Sequence, residues 1–196
     1  MLKPLEKTDT KTRILEAANA ISLKLGPAHL SLEVVAAEAG ISKGGLLYHF
    51  PSKQALLRAL VARYVDAMRA DMEAMAPGWR LPNGPALTAA VAYLEIGGQF
   101  ICQSEEPMAG VLAAMAEDPG FIAPMLAFRN EVSALFRRCP RPAQAHMVFL
   151  ASQGIVHICM TDPGSHGGQD VARLFGDLKA LLLEGQATPA DAQAVA

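Results

Sequence analysis

The sequence is poor in cysteine and has none of the cysteine spacings that hold a metal. Its 196 residues include only three, Cys102, Cys139 and Cys159, and none of them belongs to a CxxC or CxH pair. An odd number of widely spaced cysteines gives little support to a disulfide framework, and the missing pairs give little support to a zinc site. We therefore expect reduced thiols in a cytoplasmic protein, with no metal and no cofactor.

Signals for export or for membrane insertion are also missing. No basic segment followed by an apolar run opens the sequence, so no signal peptide is predicted. Residues 142–161 carry no formal charge, but glutamine, histidine and serine side chains interrupt this stretch. A span that faces lipid carries few such groups, so we expect a helix buried inside a soluble protein.

No catalytic constellation stands out in the sequence. The adjacent Glu105 and Glu106 precede a proline and are most simply part of a solvated loop. The glycines of residues 162–168 lack the GxxxxGK[ST] spacing of a phosphate-binding loop, and they follow a predicted helix rather than a strand. These absences argue against an enzyme.

Alternating strand patterns and internal repeats are absent, whereas helical periodicity runs through most of the chain. Hydrophobic residues make up 52% of the sequence, enough for a substantial core. Proline and glycine separate the periodic segments and predict helices near residues 9–25, 31–39, 42–50, 53–76, 86–104, 108–117, 121–138, 142–160 and 169–183. The predicted fold is all-α, with an N-terminal three-helix domain (1–53), a C-terminal helical domain (54–185) and a loose tail (186–196).

Charge is distributed unevenly along the chain. The net charge of −2 argues against an undifferentiated binder of polyanions. Residues 1–53, however, contain seven Lys/Arg against five Asp/Glu, while residues 54–196 contain ten against fourteen. Between Gly40 and Arg58 there are three basic residues and no acidic one. The positive charge is therefore gathered in one segment of the N-terminal domain.

That segment lies within a stretch, beginning at Ser31, with the pattern of a helix-turn-helix. Ser31 can cap a first helix, and Gly40 ends it because glycine enters the left-handed conformation without steric cost. Ser42 can cap a short second helix, whose buried side would consist of Leu46 and Phe50. A second helix of this kind enters the DNA major groove with its first residues against the base edges.

The remaining positions of the motif have the chemistry of a DNA contact. Two glycines in so short a helix cost about 1 kcal/mol each relative to alanine, so close approach of the backbone to DNA explains them better than helix stability does. Lys43 is placed to reach guanine acceptors, and the hydroxyl, aromatic and basic side chains around it are placed to hold phosphates. The predicted DNA-binding residues are Ser31, Ser42, Lys43, Gly44, Gly45, Leu47, Tyr48, His49 and Lys53.

Two other interpretations of this segment remain open. It could be an ordinary surface turn with a solvated lysine, or it could belong to a helical protein-interaction module that has lost specific DNA binding. A module of the second kind would keep the buried residues for folding, but it would have no need for the two glycines, Tyr48 and Lys53 together.

The stretch from Ile14 to Leu57 resembles the DNA-binding domain of the tetracycline-repressor (TetR) family, and AGISKGGLLYHFPSK carries most of the resemblance. The resemblance implies a homodimeric, all-helical bacterial transcription regulator, usually a repressor. Such a regulator leaves its operator DNA when a small molecule enters the C-terminal domain. The family often has an aromatic residue at the position of Leu47, where it contacts a phosphate. The resemblance therefore implies one phosphate contact fewer in this chain. Two-fold symmetry implies a palindromic operator.

The C-terminal half offers candidates for a ligand pocket and for a dimer interface. Helical spacing of apolar residues usually indicates core packing, which is the alternative for the pocket. The candidate ligand-binding residues are Tyr93, Phe100, Met108, Leu112, Phe121, Met125, Phe128, Arg129, Gln153 and His157. The last two predicted helices could pair with their copies in a four-helix interface, or they could pack internally. The candidate interface residues are Met147, Leu150, Ala151, Gly154, Ile155, Ile158, Leu174 and Leu178.

Overall fold

A computed structural model describes residues 9–25, 30–103, 119–162 and 166–184. The helices are α1 (Thr10–Leu25), α2 (Leu32–Glu38), α3 (Lys43–His49), α4 (Lys53–Met75), α5 (Ala86–Gln103), a short 3-10 helix (Pro119–Ile122), α6 (Ala123–Phe136), α7 (Pro142–Thr161) and α8 (Gly168–Leu183). No strand occurs in the described ranges, and the all-α prediction is confirmed. The predicted helix at 108–117 and the predicted tail at 186–196 lie outside the described residues.

The chain divides into two compact units, and the division falls within α4. One unit takes the chain up to Tyr64 together with the segment that ends at Met125. The other begins at Val65 and resumes at Leu126. The boundary predicted at residues 53/54 corresponds to the first turn of α4, about three helical turns earlier. The connecting helix thus contributes residues to both units.

The first unit is a small helical domain with one apolar core. One side of α1 is buried, with Ile14, Ala18 and Ile21 at 5% exposure or less. These side chains belong to the same buried cluster as Leu46 of α3 and Leu56 of α4. Val35 and Ala36 of α2 are also members of this cluster, which therefore packs both helices of the helix-turn-helix against α1.

The second unit is built from the rest of α4 and from α5 to α8. Helix α8 packs along α5, and Gly97 and Gly98 of α5 face Phe175 of α8. A Cβ added at Gly98 would lie 3.1 Å from the Phe175 side chain, so a larger residue would push the two helices apart. On α4, Arg69 forms a two-pronged ion pair with Glu131 of α6.

The loop between α4 and α5 is held by charged side chains. The Glu73 carboxylate accepts a hydrogen bond from the backbone N–H of Gly78 at 2.7 Å, and Gly78 has a φ of +74°. The Arg138 guanidinium donates to the carbonyl oxygen of Trp79 at 2.6 Å and to those of Leu81 and Pro82. One side chain thereby satisfies three loop carbonyls that would otherwise depend on water.

Helix α6 is shorter than the sequence predicts. The predicted helix begins at residue 121 and ends at 138, whereas α6 begins at Ala123 and ends at Phe136. The chain leaves the helix through tighter turns, with the N–H of Arg138 bonded to the Leu135 carbonyl and that of Cys139 to the Phe136 carbonyl. Such three-residue turns commonly satisfy the last carbonyls of a helix.

Candidate nucleic-acid interface

Helix α2 begins with the cap that its sequence predicts. The Ser31 hydroxyl accepts a hydrogen bond from the backbone N–H of Val34 at 3.2 Å, and the Ser31 backbone is extended. The buried side of the helix consists of Val35 and Ala36. The small side chain of Ala36 allows close approach of a neighbouring helix.

The turn after α2 is closed by main-chain hydrogen bonds. Gly40 has a φ of +64°, and its N–H donates to the Ala37 carbonyl at 3.1 Å. The N–H of Ile41 donates to the Ala36 carbonyl at 3.0 Å. This pair of bonds is the Schellman arrangement, which ends a helix with glycine in the left-handed conformation. It sets the direction in which the chain enters α3.

A side chain from α1 stabilises the same turn. The Arg13 guanidinium donates to the Ala39 carbonyl at 2.6 Å, at the C-terminal end of α2. A cation at this end also interacts favourably with the helix dipole. The contact spans 26 positions of the sequence, so no local pattern could indicate it.

Helix α3 separates a buried side from an exposed side. Its cap, Ser42, accepts a hydrogen bond from the N–H of Gly45 at 3.1 Å. Leu46 is fully buried, and Phe50, which follows the helix, is 3% exposed. Leu47 and Tyr48 are exposed, and Tyr48 reaches 86%. The buried residues account for folding, and the exposed ones remain available for a partner.

The two glycines of α3 have different surroundings. At Gly44 an added Cβ would meet only the Ser42 hydroxyl oxygen, at 4.0 Å, so the folded chain does not require glycine there. At Gly45 the same oxygen would lie only 3.3 Å away, which is a tight contact against the helix cap. The prediction that both glycines serve close approach to DNA therefore has an alternative at Gly45, because packing against Ser42 also favours glycine.

The other predicted contacts surround the C-terminal end of α3 and the start of α4. The rings of Tyr48 and His49 meet edge to face, with centroids 5.2 Å apart. Lys53 opens α4, next to Ser52, whose hydroxyl accepts a hydrogen bond from the N–H of Ala55. Lys11 of α1, which the sequence-based prediction omits, lies 6.0 Å from the centroid of the Phe50 ring.

Lys43, the residue predicted to reach guanine, has an acidic neighbour. Its Nζ lies 2.5 Å from a carboxylate oxygen of Glu33, and both side chains are more than half exposed. The hydrogen bond from Lys43, together with a backbone hydrogen bond, lowers the pKa of the Glu33 carboxyl below its ordinary value. No local sequence pattern predicts this ion pair, because the two residues are ten positions apart on different helices.

Two protein-family models match most of the chain, and the first of them covers the helix-turn-helix. Residues 14–60 match the model described as bacterial regulatory proteins of the tetR family, and residues 85–183 match the tetracyclin repressor-like C-terminal domain. The chain belongs to the TetR family. The family resemblance drawn from the sequence is thereby confirmed, and it extends into the C-terminal half.

Solved structures with the same fold include other transcriptional regulators. RHA1_ro04179 from Rhodococcus sp. Rha1 superposes with a TM-score of 0.64 at 19% identity, covering 92% of this chain and 100% of that one. The fatty acid degradation regulator FadR from Bacillus halodurans gives 0.62 at 14% identity, covering 93% and 99%. The multidrug binding protein EbrR, complexed with malachite green, gives 0.60 at 19%, covering 87% and 98%. No curated protein sequence matches the chain significantly.

In this TetR-family chain, several candidate ligand residues belong to a packed aromatic cluster. The Tyr93 ring lies 5.9 to 6.3 Å from the ring centroids of Phe128, Phe136 and Phe149. The Gln153 side-chain amide donates to the Tyr93 hydroxyl oxygen at 2.7 Å. Burial raises the pKa of Tyr93, and the hydrogen bond from Gln153 opposes that shift. Tyr93 and Phe128 therefore contribute to the core, the role that the alternative interpretation assigns them.

The other candidate ligand residues are more dispersed. Met125 is half-buried, whereas Arg129 and His157 are exposed. The side chains of Phe100 and Phe121, and the residues Met108 and Leu112, lie outside what the structure describes. Their role in a pocket stays a prediction.

The candidate dimer residues of α7 lie mostly on an exposed apolar face. Met147 is 64% exposed, Leu150 is 54% exposed, and Ile158 is also exposed. Ala151 and Gly154 are exposed too, Ile155 is half-buried, and a Cβ added at Gly154 would meet nothing within 4 Å. We call the exposed residues, Met147, Leu150, Ala151, Gly154 and Ile158, the α7 face.

The candidate dimer residues on α8 are less exposed than those on α7, and their role in an interface stays a prediction. Leu178 is 8% exposed and belongs to the side of α8 that is buried within the chain, so it has little surface left for a second copy. Leu174 is half-buried. Leu181 is 45% exposed, and its carbonyl accepts a hydrogen bond from Gln144 of α7. Since α8 packs on α5 and α7, its strongly apolar side faces inward, and the sequence pattern alone cannot separate that side from an interface.

The residues that the structure describes contain neither a candidate membrane span nor a candidate metal cluster. No helix there is long and apolar enough to cross a membrane. No group of three or more His, Cys, Asp or Glu side chains in those ranges could hold a metal ion.

Proposed function

We propose that this TetR-family regulator represses transcription by binding a palindromic operator as a dimer, and that a small, mostly apolar ligand releases it. The observation that carries the DNA-binding part is the exposed side of α3. Tyr48 is 86% exposed and Gly44 borders open space, so neither residue is explained by packing within the chain. A partner that contacts both a backbone and an aromatic side chain explains them.

The roles on DNA follow from position. Lys43 is the first residue of α3, where side chains of a recognition helix meet base edges, and lysine donates to the O6 and N7 acceptors of guanine. Tyr48, His49 and Lys53 lie toward the other end of α3, and there they would contact phosphates and fix the register. The Ser31 and Ser42 hydroxyls accept cap hydrogen bonds, and Ser42 retains a proton to donate to a phosphate. The Ser31 hydroxyl also bonds to the Glu33 carboxylate, so it would have to turn its proton from that carboxylate to a phosphate.

A second copy of the chain is the partner that best fits the α7 face. Large exposed apolar side chains on neighbouring turns of one helix lose contact with water when two such helices pair. Ala151 and Gly154 lie among them, and small residues allow two helix backbones to approach closely. A two-fold dimer would present two copies of α3, about one turn of DNA apart, which requires a palindromic site.

The proposed ligand site lies beside the hydrogen bond between Tyr93 and Gln153. The Tyr93 hydroxyl and the Gln153 amide are polar groups within a cluster of aromatic side chains, a combination typical of a site for a mostly apolar ligand. EbrR, a neighbour of the same fold, is a multidrug binding protein solved with ethidium and with malachite green.

Helix α4 is the element through which such a ligand would act. Its first residues follow the recognition helix, and further along Arg69 lies 5.6 Å from the centroid of the Phe128 ring, a member of the Tyr93 cluster. A ligand that displaced Phe128 would thus act on α4 directly. Such a ligand can shift the equilibrium between the DNA-bound and DNA-free states only as far as its affinities for these two states differ.

The test is the selection of bound fragments from genomic DNA by the purified full-length protein, followed by affinity measurements at several salt concentrations. Recovery of one palindrome, bound at least about a thousandfold more tightly than random DNA, supports a specific regulator. Weak binding that ignores sequence and depends steeply on salt would refute the proposal and favour a protein-interaction module.

A further inference from the structure

The ion pair between Glu33 and Lys43 brings a negative charge onto a surface otherwise suited to DNA. Glu33 lies in the first turn of α2, and Lys43 is the first residue of α3. Their 2.5 Å contact places the N-terminal turns of the two helices side by side. A carboxylate in this place repels phosphates, so general affinity for DNA does not explain it.

Helix electrostatics explain why Lys43 takes a partner in the absence of DNA. The N-terminal end of a helix carries partial positive charge, which disfavours a lysine at its first position. The first turn of α3 contains no acidic residue that could offset this charge. Glu33, from the neighbouring helix, provides the offset. The hydrogen bond from Lys43 also lowers the pKa of Glu33 below its ordinary value.

We infer that Glu33 is a specificity-determining residue, which holds the Lys43 ammonium away from phosphates and in the position from which it would meet a guanine edge. The inference rests on the proposed DNA binding and deepens it. On random DNA, Lys43 would gain one phosphate contact but lose Glu33. At the correct base pair it keeps Glu33, because the ammonium has three protons and can donate the other two to O6 and N7 of guanine.

The decisive variant is Glu33→Gln, which keeps the shape of the side chain and removes its charge. We expect this variant to bind a scrambled duplex about two to five times more tightly, the range that corresponds to an exposed ion pair. Its salt slope on scrambled DNA should steepen by about 0.9, because Lys43 becomes free to neutralise one more phosphate. Operator affinity should change less, so the ratio of specific to non-specific affinity falls.

Two controls separate this mechanism from a general charge effect. Glu38→Gln removes an exposed carboxylate from the same helix, about 140° around its axis, and should leave the ratio unchanged. In a Lys43→Ala background, Glu33→Gln should no longer alter the ratio, because the residue through which it acts is absent. Glu33→Asp, which keeps the charge, should retain most of the discrimination against scrambled DNA.

The outcomes distinguish this inference from the proposed function. If the wild-type protein selects no palindrome, the proposed function fails, and the inference that rests on it fails as well. If the palindrome is found but Glu33→Gln leaves the ratio unchanged, or shifts it equally in the Lys43→Ala background, the inference is overturned and the proposed function stands. An equal shift in Glu38→Gln would also overturn it.

Discussion

Replacing Gly44 by alanine should make the protein more stable and a weaker DNA binder. Gly44 is the second residue of α3, it is exposed, and an added Cβ would meet only the Ser42 hydroxyl oxygen, at 4.0 Å. The folded chain therefore has room for a methyl group. Alanine favours a helix over glycine by about 0.5 to 1 kcal/mol, so the free energy of unfolding should rise by up to that amount.

The expected loss of DNA binding has a separate origin. The new methyl group would project from the side of α3 on which the backbone is proposed to approach the bases. Forcing one extra carbon into a well-packed contact costs about 1 to 3 kcal/mol. The dissociation constant for the operator should therefore rise by a factor of about 5 to 150.

Thermal unfolding followed by circular dichroism gives the change in stability, and titration of a labelled operator gives the change in affinity. Gly45→Ala is the matched comparison, because its Cβ would lie 3.3 Å from the same Ser42 oxygen and the gain in stability should be smaller. If Gly44→Ala stabilises the protein but binds the operator as tightly as the wild type, the backbone at this position does not approach DNA, and the reasoning is refuted.

Three further substitutions and one thiol-labelling reaction test the remaining assignments. Lys43→Ala should weaken operator binding by about 1 to 3 kcal/mol and relax the preference at one base position, whereas an equal loss on every single-base variant of the operator would exclude a base contact. Lys53→Ala should weaken binding to all DNA and reduce the salt slope by about one, and an unchanged slope would contradict a phosphate contact. Gly154→Leu should shift the protein toward monomer in light scattering, because leucine holds apart two helices that approach closely at a glycine; an unchanged dimer mass would remove α7 from the interface. Burial raises the pKa of the Cys139 thiol to about 11, so in a variant with serine at the other two cysteines the folded protein should resist a thiol reagent at pH 8. Rapid labelling of the native protein would contradict the burial of Cys139. The contribution of the protonated thiol to the free energy of unfolding should be lost as pH rises from about 9 through about 11.

The ends of the helices are the most predictable part of this fold, because their signals lie within a few residues of each other. Ser31 and Ser42 cap the helices that their positions predict, and Gly40 has the left-handed conformation that the turn requires. Pro142 opens α7 as expected. Each of these features depends on the local backbone, so no knowledge of the tertiary packing is needed.

Contacts between distant segments could not be predicted in this way. Glu33 and Lys43 meet only because α2 and α3 dock at a particular angle, and Arg138 reaches the loop after α4 across more than fifty positions. The apolar character of Leu178 is evident from the sequence, but whether its side chain faces the rest of the chain or a second copy depends on how the helices pack. Periodicity identifies an apolar face, and it does not identify what covers that face.

The main-chain closure of the turn at Gly40 separates the scaffold of this domain from its recognition surface. The angle between α2 and α3 depends on backbone hydrogen bonds and on buried residues such as Val35 and Leu46. The exposed side chains of Leu47 and Tyr48 are not needed for that geometry, and Lys43 contacts α2 only through its exposed ion pair with Glu33. In the proposed complex with DNA, a substitution at Lys43, the residue assigned to base contacts, would therefore change the preferred sequence without redesigning the fold, which makes this helix a suitable starting point for engineered regulators.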